Sequence, residues 1–352
     1  MTQILNDTNN NECNQNPHLP INRITMVMAG DEEGGLEKHV IELSNGLASR
    51  GYQVSVIAHE KYKDRLSQHI NFLPVDLSKS RRNPMVLWQL YQAIKASQPD
   101  ILHVQVNKAV AMVAPLLKWL KIPSVATLHS RKKNTKMFER FDAVIAVSPN
   151  AAEAISHSNK FVVLNGIEPP ILNPNITKSI PPIVLAVGRL VPVKGFDVLI
   201  KAWQQVENAE LWIVGDGFES ENLLQLVKDL DLSHSVKFLG FRSDISELMQ
   251  QASLYVMSSH YEGCPYTMVE SLLCRTPMIS TAVGAMKIVL PEQYLCPQND
   301  VIALHQLIIK SLSQLDQLNQ DFQPVFTFAE KNLVLNGMIA NIENIYRQVS
   351  NA

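Results

Sequence analysis

The chain has 352 residues, 46% of them apolar and 18% charged, and it carries a net charge of −2. This length fits two domains of about 150 residues each, and the composition excludes a disordered or fibrous protein. The longest stretch without a charged or strongly polar side chain covers only residues 109–117, whereas a membrane-spanning helix needs about 20 residues. We also expect no export signal, because no basic segment followed by an apolar core begins the sequence.

Charge is distributed unevenly, since residues 1–174 carry a net +4 and residues 175–352 a net −6. Two interpretations are open: a basic first half that faces an anionic acceptor or a membrane, or ordinary surface variation. We expect no nucleic-acid binding, which would need a stronger basic patch interleaved with aromatic residues. The four cysteines, at positions 13, 264, 274 and 296, show no CxxC spacing. They are interpreted as reduced thiols of a cytoplasmic protein.

Residues 1–20 are rich in Asn and Gln and lack apolar periodicity, so they are predicted to form a disordered leader. An apolar run, a Gly-rich turn and a helical pattern then follow one another. These segments cover residues 24–29, 30–35 and 36–50. Further strands are predicted at residues 54–58, 101–106, 124–128, 143–147 and 161–163.

Five prolines crowd residues 169–182 and indicate an inter-domain joint, because proline fixes φ and removes a hydrogen-bond donor. The alternation of strands and helices then resumes. Strands are predicted at residues 183–187, 211–214, 236–239, 254–257 and 278–280, and helices at 197–206, 219–230 and 330–349.

Short apolar strands that alternate with amphipathic helices are typical of parallel sheets covered on both faces. We therefore predict two α/β domains, the first at residues 21–174 and the second at 175–335, with a C-terminal helix at 336–352 returning to the first. Parallel sheets bind ligands at the carboxyl ends of their strands. Two such sheets that face each other suit a two-substrate enzyme.

The most informative segment runs from Ser259 to Glu270. Glu262 lies on the loop after a predicted strand, and Pro265 suits the first turn of the next helix. The amides of Gly263 and Cys264 near a helix N-terminus favour a phosphate or a polar sugar atom. The alternative is one acidic residue on a loop and another, Glu270, on a solvated helix face.

The pattern Glu-x7-Glu, headed by Glu-Gly-x-Pro, resembles the signature of the retaining glycosyltransferases of family 4, also called glycosyl transferases group 1. Further motifs of that family follow the expected order along the chain. They are Gly34-Gly35-Leu-Glu37, Asn165-Gly166-Ile167, Val187-Gly188-Arg189-Leu190, Lys194-Gly195-Phe196, Val214-Gly215-Asp216-Gly217 and Phe238-Leu239-Gly240. The resemblance implies a GT-B fold, in which two Rossmann-like parallel-sheet domains face each other across a cleft.

The resemblance also implies roles for four residues of the second, donor-binding domain. Arg189 and Lys194 would bind the donor diphosphate and offset the charge on the departing nucleotide. Glu262 would hold hydroxyls of the transferred sugar, and Glu270 the ribose hydroxyls. Apart from the resemblance, Arg189 and Lys194 are also compatible with a basic pair on a surface turn.

In the first, acceptor-side domain, the resemblance implies that Gly34 and Gly35 let the backbone approach the donor phosphates. His129 would orient the reacting sugar or stabilise the transition state, or it would merely cap the end of a strand. The sequence departs from the family at Ser130, where Asp is frequent, and in the stretch holding Gln105 and Asn107, where relatives often carry a second histidine.

A further departure is Lys287, where relatives usually have an acid in the loop after a strand. Two interpretations stay open: Lys287 alters which donor sugar fits, or it points to solvent.

The implied reaction transfers a sugar from a UDP- or GDP-linked donor to an acceptor hydroxyl with retention of configuration. No Asp-x-Asp motif lies near either predicted site, so we expect no metal and no cofactor besides the donor substrate. A glycan or lipid-linked acceptor of lipopolysaccharide, capsule or other cell-surface synthesis is expected. The alternatives are a nucleotide-sugar epimerase of the same fold and a non-catalytic binding protein.

Peripheral membrane contact is a further hypothesis. Basic residues from Lys79 to Arg82 precede a helix that contains Met85 and Trp88, a pattern compatible with docking on anionic lipid. The alternative is a solvated turn followed by a helix packed on the sheet.

Overall fold

The computed structural model describes residues 3–4, 21–30 and 35–351. The chain forms two compact units, Met1–Gly166 with Leu335–Ala352 and Ile167–Val334. The structure thus separates the units eight residues before the predicted joint at 174/175. It assigns the C-terminal helix to the first unit.

The first unit contains a sheet of eight parallel strands covered by helices. Its strands are β1 (Gln3–Ile4), β2 (Arg23–Met28), β3 (Gln53–Ala58), β4 (Asn71–Pro74), β5 (Ile101–Gln105), β6 (Ser124–Leu128), β7 (Ala143–Ala146) and β8 (Lys160–Val162). Its first helices are α1 (Gly35–Ser49), α2 (Pro84–Ser97), α3 (Asn107–Val113), α4 (Leu117–Leu120) and α5 (Pro149–Glu153). The central strands are almost fully buried, as expected of a parallel sheet with helices on both faces.

The second unit contains a sheet of six parallel strands. The strands are β9 (Ile183–Val187), β10 (Glu210–Val214), β11 (Val236–Gly240), β12 (Leu254–Met257), β13 (Met278–Thr281) and β14 (Leu295–Cys296). The helices are α6 (Phe196–Ala202), α7 (Ser220–Asp229), α8 (Ile245–Gln251), α9 (Tyr266–Leu273), α10 (Met286–Val289), α11 (Val301–Ser313), α12 (Leu315–Asp321) and α13 (Gln323–Asn332). The last helix, α14 (Leu335–Ser350), returns to the first unit.

Each sheet has a switch point where the strand order reverses. The first has the order β1-β8-β7-β6-β5-β2-β3-β4, which reverses between β2 and β5. The second has the order β11-β10-β9-β12-β13-β14, which reverses between β9 and β12. Loops that leave the carboxyl ends of these paired strands diverge, and the crevice between them is where doubly wound sheets bind ligands.

The predicted helix at 330–349 is wrong in one respect, because the structure divides it into α13 and α14. Val334 lies in the break and forms an isolated parallel bridge with Ile167. After the break, α14 contributes Met338, Ile342 and Ile345 to the core of the first unit. Tertiary pairing therefore interrupts a segment whose local pattern favours one continuous helix.

Within the predicted leader, the structure describes only the two residues of β1, which pair in parallel with β8. The rest of residues 1–20 lies outside the described residues. None of the described helices is long and apolar enough to cross a membrane.

Candidate active site

In the second domain, the two loops at the switch point bring a cation and an anion together. Lys194 lies on the loop after β9, and Glu262 on the loop after β12. The Lys194 Nζ donates a hydrogen bond to Glu262 Oε1 at 2.6 Å. The two side chains are only 22% and 12% exposed, so this ion pair is better shielded than most surface salt bridges.

Only one oxygen of Glu262 is used by this contact. Oε1 also accepts a hydrogen bond from the Ser259 hydroxyl at 2.7 Å. Within the described ranges no hydrogen bond reaches Oε2. The carboxylate is therefore fixed at one oxygen, while the other is available to a ligand hydroxyl.

A glycine allows the two loops to approach each other. Gly195 has a φ of 62°, and a Cβ at this position would lie 2.3 Å from the Ser258 carbonyl oxygen. A second contact joins the same loops, because the Ser258 hydroxyl donates to the Lys194 carbonyl at 3.0 Å. The Lys-Gly pair thus combines a cation with a backbone approach that excludes larger side chains.

Arg189 lies on the same loop as Lys194, directly after β9, and is exposed. It forms no salt bridge in the part of the chain that the structure describes. Gly215 on the neighbouring loop has a φ of 134°, and a Cβ there would lie 1.9 Å from the Gly188 oxygen. Close backbone packing therefore supports the base of this loop and leaves the guanidinium open to solvent.

The remaining predicted residues of this domain surround the start of α9. Pro265 directly precedes the helix, and both Cys264 and Pro265 are buried. The Gly263 carbonyl accepts a hydrogen bond from the Ala285 amide at 2.7 Å, which joins this loop to the loop after β13. Glu270 is half-buried on α9.

The buried Tyr255 links Glu262 and Glu270. Burial raises the pKa of Tyr255, and the negative charges of the two carboxylates contribute to the rise. Glu262 and Glu270 therefore act electrostatically on the same side chain.

Lys287 is exposed on the short helix α10, which favours the interpretation that it points to solvent. Cys264, Cys274 and Cys296 are buried, and none of these three forms a disulfide bond in the described part of the chain. Cys13 lies outside the described residues.

In the first domain, the predicted Gly-rich turn is described only in part. Gly34 lies outside the described residues, whereas Gly35 is the exposed first residue of α1. His129 lies directly after β6, and its Nε2 forms a hydrogen bond of 2.7 Å with Gln105 Oε1 at the end of β5. His129 is thus bound to a neighbouring strand end, on the carboxyl edge of the sheet.

Two further histidines, which the sequence did not indicate, lie beside His129. His39 of α1 packs edge-on against His129 with ring centroids 4.8 Å apart. His103 of β5 is completely buried and bonds Gln105 at 3.1 Å. His39 lies four residues after the start of α1 and His103 lies inside an apolar strand, and neither position offers a local signal for this cluster.

Burial makes all three rings neutral near pH 7, because the charged form loses its hydration. It lowers the pKa of His39 to about 4, although an interaction with Asn165 opposes the effect. It lowers the pKa of His103 to about 3, with a smaller contribution from His39. Burial and then the two neighbouring histidines hold the pKa of His129 well below its usual value.

Comparison with known proteins identifies the family of this chain. Residues 33–169 match the family model described as Glycosyltransferase Family 4, and residues 171–323 match the one described as Glycosyl transferases group 1. The chain belongs to glycosyltransferase family 4. The family resemblance predicted from the motifs is therefore confirmed.

This glycosyltransferase is similar to several known proteins. It is 29% identical to an uncharacterised glycosyltransferase of Haemophilus influenzae over 76% of this chain and 84% of the relative. It is 25% identical to the lipopolysaccharide core biosynthesis glycosyltransferase LpsE of Rhizobium meliloti, over 71% and 76% of the two chains.

The crystal structure of Anabaena Alr3699/HepE in complex with UDP superposes with a TM-score of 0.79 at 20% identity. The match covers 93% of this chain and 100% of the other. The predicted fold class, GT-B with two Rossmann-like parallel-sheet domains, is confirmed.

Proposed function

We propose that this glycosyltransferase moves a hexosyl group from a UDP- or GDP-linked donor to an acceptor hydroxyl and retains the anomeric configuration. The observation that carries the proposal is the Lys194–Glu262 pair at the switch point of the second sheet. It supplies a cation for a diphosphate and a carboxylate for sugar hydroxyls at the place where such sheets bind ligands.

In this reaction the bond between the sugar C1 and the diphosphate oxygen breaks, and a bond from C1 to the acceptor oxygen forms on the same face. The acceptor proton passes to the departing phosphate. Arg189 and Lys194 stabilise the negative charge on that phosphate without a divalent metal. Glu262 binds the sugar through Oε2, and Glu270 binds the ribose hydroxyls.

The remaining predicted residues complete the proposed donor site. Gly263, Cys264 and Pro265 present backbone to the donor at the start of α9, while Gly34 and Gly35 admit its phosphates on the first domain. His129 contacts the reacting sugar.

The similarity to LpsE supports an acceptor that belongs to a bacterial cell-surface glycan, such as lipopolysaccharide or capsule. The UDP complex of Alr3699/HepE supports a uridine donor over a guanosine one. A lipid-linked acceptor would require the enzyme to work at the cytoplasmic face of the cell membrane.

The first domain offers a surface for such membrane contact. Met85 and Trp88 of α2 are 62% and 59% exposed, whereas Leu90 and Ile94 pack inward. Exposed basic residues from Lys79 to Arg82 precede the helix. In sedimentation assays, phosphatidylglycerol vesicles should pellet more of the wild type than of Trp88→Ala. If neutral vesicles pellet as much wild type as phosphatidylglycerol vesicles do, the membrane hypothesis is contradicted.

The donor is tested with a panel of UDP-, GDP- and ADP-sugars, measured by thermal stabilisation and by slow donor hydrolysis. A donor at 100 times its Kd should stabilise the protein by about 2.7 kcal/mol. Both signals should disappear in Arg189→Ala and Glu262→Ala.

The matched control is Glu210→Ala, which removes a carboxylate that pairs with Lys237 elsewhere in the same domain. This variant should keep the donor response. A folded wild type that responds to no donor would contradict the proposed activity, and a product with inverted configuration would contradict retention.

A further inference from the structure

A chain of hydrogen bonds runs from His129 into the interior of the first domain. His129 Nε2 bonds Gln105 Oε1 at 2.7 Å, and Gln105 Nε2 bonds His103 Nε2 at 3.1 Å. His103 Nε2 also lies 2.7 Å from the Thr127 hydroxyl, and its Nδ1 lies 2.6 Å from the hydroxyl of Tyr346 on α14. Three elements, β5, β6 and α14, therefore meet in one polar network.

The interior members of this chain are inaccessible to water. Gln105, His103 and Tyr346 are 0% exposed, and Thr127 is 1% exposed. A buried polar group without a partner costs about 1–3 kcal/mol, so such groups remain only where their hydrogen bonds are made. A chain of neutral side chains in this setting fixes orientation instead of supplying charge.

With the Gln105 amide oriented as in this structure, the donors and acceptors of neutral groups set the direction of the chain. The Gln105 oxygen can only accept, so His129 carries its proton on Nε2. The Gln105 amide can only donate, so Nε2 of His103 accepts and its Nδ1 carries the proton that points to Tyr346. The two histidines are therefore opposite tautomers.

This arrangement leaves Nδ1 of His129 as an acceptor. No hydrogen bond reaches that nitrogen within the described ranges. His129 is itself only half-buried at the carboxyl edge of the sheet, where ligands approach.

The backbone directly after Gln105 is strained. Val106 has a φ of 75° and a ψ of 139°, a conformation that costs a β-branched residue of the order of 1–3 kcal/mol. The strained residue directly follows Gln105 and directly precedes α3. Such strain persists where the surrounding contacts determine the conformation.

We propose that Gln105, held by His103 and Tyr346, is a positioning residue that fixes His129 as the Nε2-protonated tautomer and presents Nδ1 to a substrate hydroxyl. The hydroxyl donates to Nδ1, so His129 orients the substrate as an acceptor and not as an acid. The identity of the hydroxyl as that of a sugar rests on the proposed function. The tautomer pattern does not depend on the proposed function.

The test is two-bond 1H–15N correlation NMR of the full-length protein labelled with 15N-histidine, with His129→Asn and His103→Asn used for assignment. We expect His129 to be neutral with the proton on Nε2, and His103 to be neutral with the proton on Nδ1, from pH 6 to pH 8. The reverse pair of tautomers would overturn the proposal, because it requires the opposite direction of the chain.

Two variants test the contact itself. Gln105→Glu places a carboxylate beside His129 Nε2 and should favour the doubly protonated ring, so that His129 titrates at higher pH than in the wild type. Gln105→Met keeps the approximate shape without hydrogen bonds, and His129 should then lose its single tautomer. Identical His129 spectra in the wild type and both variants would also overturn the proposal.

Kinetics separate this proposal from the proposed function. With a processed donor, Gln105→Met should lower kcat about tenfold or more and change the donor KM less than threefold, since misplacement of a substrate group by about 1 Å can cost about 10²-fold. An unchanged kcat would overturn the positioning role. If no donor is processed, the proposed function fails, whereas the spectra still decide the tautomers.

Discussion

The two candidate sites use opposite chemistry, although both lie at the carboxyl edge of a parallel sheet. In the second domain, Lys194 and Glu262 carry full charges and remain partly open to solvent. In the first domain, His39, His103 and His129 are neutral because burial lowers the pKa of each ring. Under the proposed function, the charged site binds the diphosphate and the neutral site holds the sugar in a fixed orientation.

The difference follows from how each site compensates for the loss of hydration of its polar groups. The Lys194–Glu262 pair keeps contact with water, so each charge retains part of its hydration. In the first domain the rings are neutral, and His103 and His129 form hydrogen bonds with Gln105, Thr127 and Tyr346. Charge changes should therefore affect ligand binding in the second domain and stability in the first.

The largest effect is expected for Lys194→Ala. The substitution removes a cation from the departing phosphate and leaves Glu262 without its ion-pair partner. We expect kcat/KM to fall about 10²–10³-fold, the range found when one stabilising donor is lost from a transition state. Steady-state kinetics with the preferred donor measures it.

Lys201→Ala is the matched control, because Lys201 forms an exposed ion pair with Asp197 in the same domain. Its kcat/KM should stay within about twofold of the wild type, since exposed pairs contribute little. Equal losses in the two variants would show that Lys194 has no special role.

The next effect is a loss of stability in weak acid that is confined to the first domain. A buried histidine has a folded-state pKa below its unfolded value of about 6.5, so in weak acid it is neutral when folded and protonated when unfolded. Lowering the pH therefore stabilises the unfolded state. Between pH 7 and 5.5, His39 and His103 should together lower the free energy of unfolding by about 2.5 kcal/mol, and His129 should act in the same direction. Above about pH 7.5, where the unfolded histidines are neutral too, they should contribute almost no pH dependence.

Hydrogen exchange followed by mass spectrometry distinguishes the domains in this experiment. In the second domain the pKa of Lys178 is lowered to about 8, and the pKa values of Glu210 and Asp244 are also lowered. All three groups stay charged between pH 7 and 5.5. Its protection should therefore change little. Equal loss of protection in both domains would contradict the assignment of acid sensitivity to the histidines.

A smaller effect is expected for Tyr346→Phe, which removes the hydroxyl partner of His103 and nothing else. The buried Nδ1 then lacks a hydrogen bond, and stability should fall by about 1–3 kcal/mol in urea denaturation. Tyr91→Phe is the control, since the half-exposed Tyr91 hydroxyl makes no hydrogen bond among the described residues. If Tyr346→Phe is as stable as Tyr91→Phe, His103 is satisfied in another way.

Much of the second site could be predicted from the sequence because its parts are local. β9 and β12 have strong apolar patterns, and Glu262, Gly263 and Pro265 lie within four consecutive residues of the loop after β12. The contact between Lys194 and Glu262 could not be derived, because it depends on the switch point that makes β9 and β12 neighbours. Spacing along the chain does not reveal that order.

The first site shows the opposite case. His129 was predicted from the family resemblance, but its partners are separated from it in sequence, and Tyr346 lies 243 residues from His103. β4 was not predicted, because a short strand that begins with Asn71 and ends with Pro74 lacks an apolar pattern. Contacts made only in the folded sheet leave no periodic signal.

The smallest effect concerns Ser259, whose hydroxyl holds the same oxygen of Glu262 as Lys194 does. If both contacts fix the carboxylate, Ser259→Ala should leave the charge in place and loosen only its orientation. The loss of a hydrogen bond to a charged carboxylate costs about 1.5 kcal/mol at the low end, which corresponds to a fall in kcat/KM of roughly tenfold. Ser313→Ala, an exposed serine on α11 that bonds the Lys310 carbonyl, should have no effect. A fall as large as that of Lys194→Ala would mean that orientation of Glu262, and not charge at Lys194, dominates the second site, and the contrast with the first domain would then disappear.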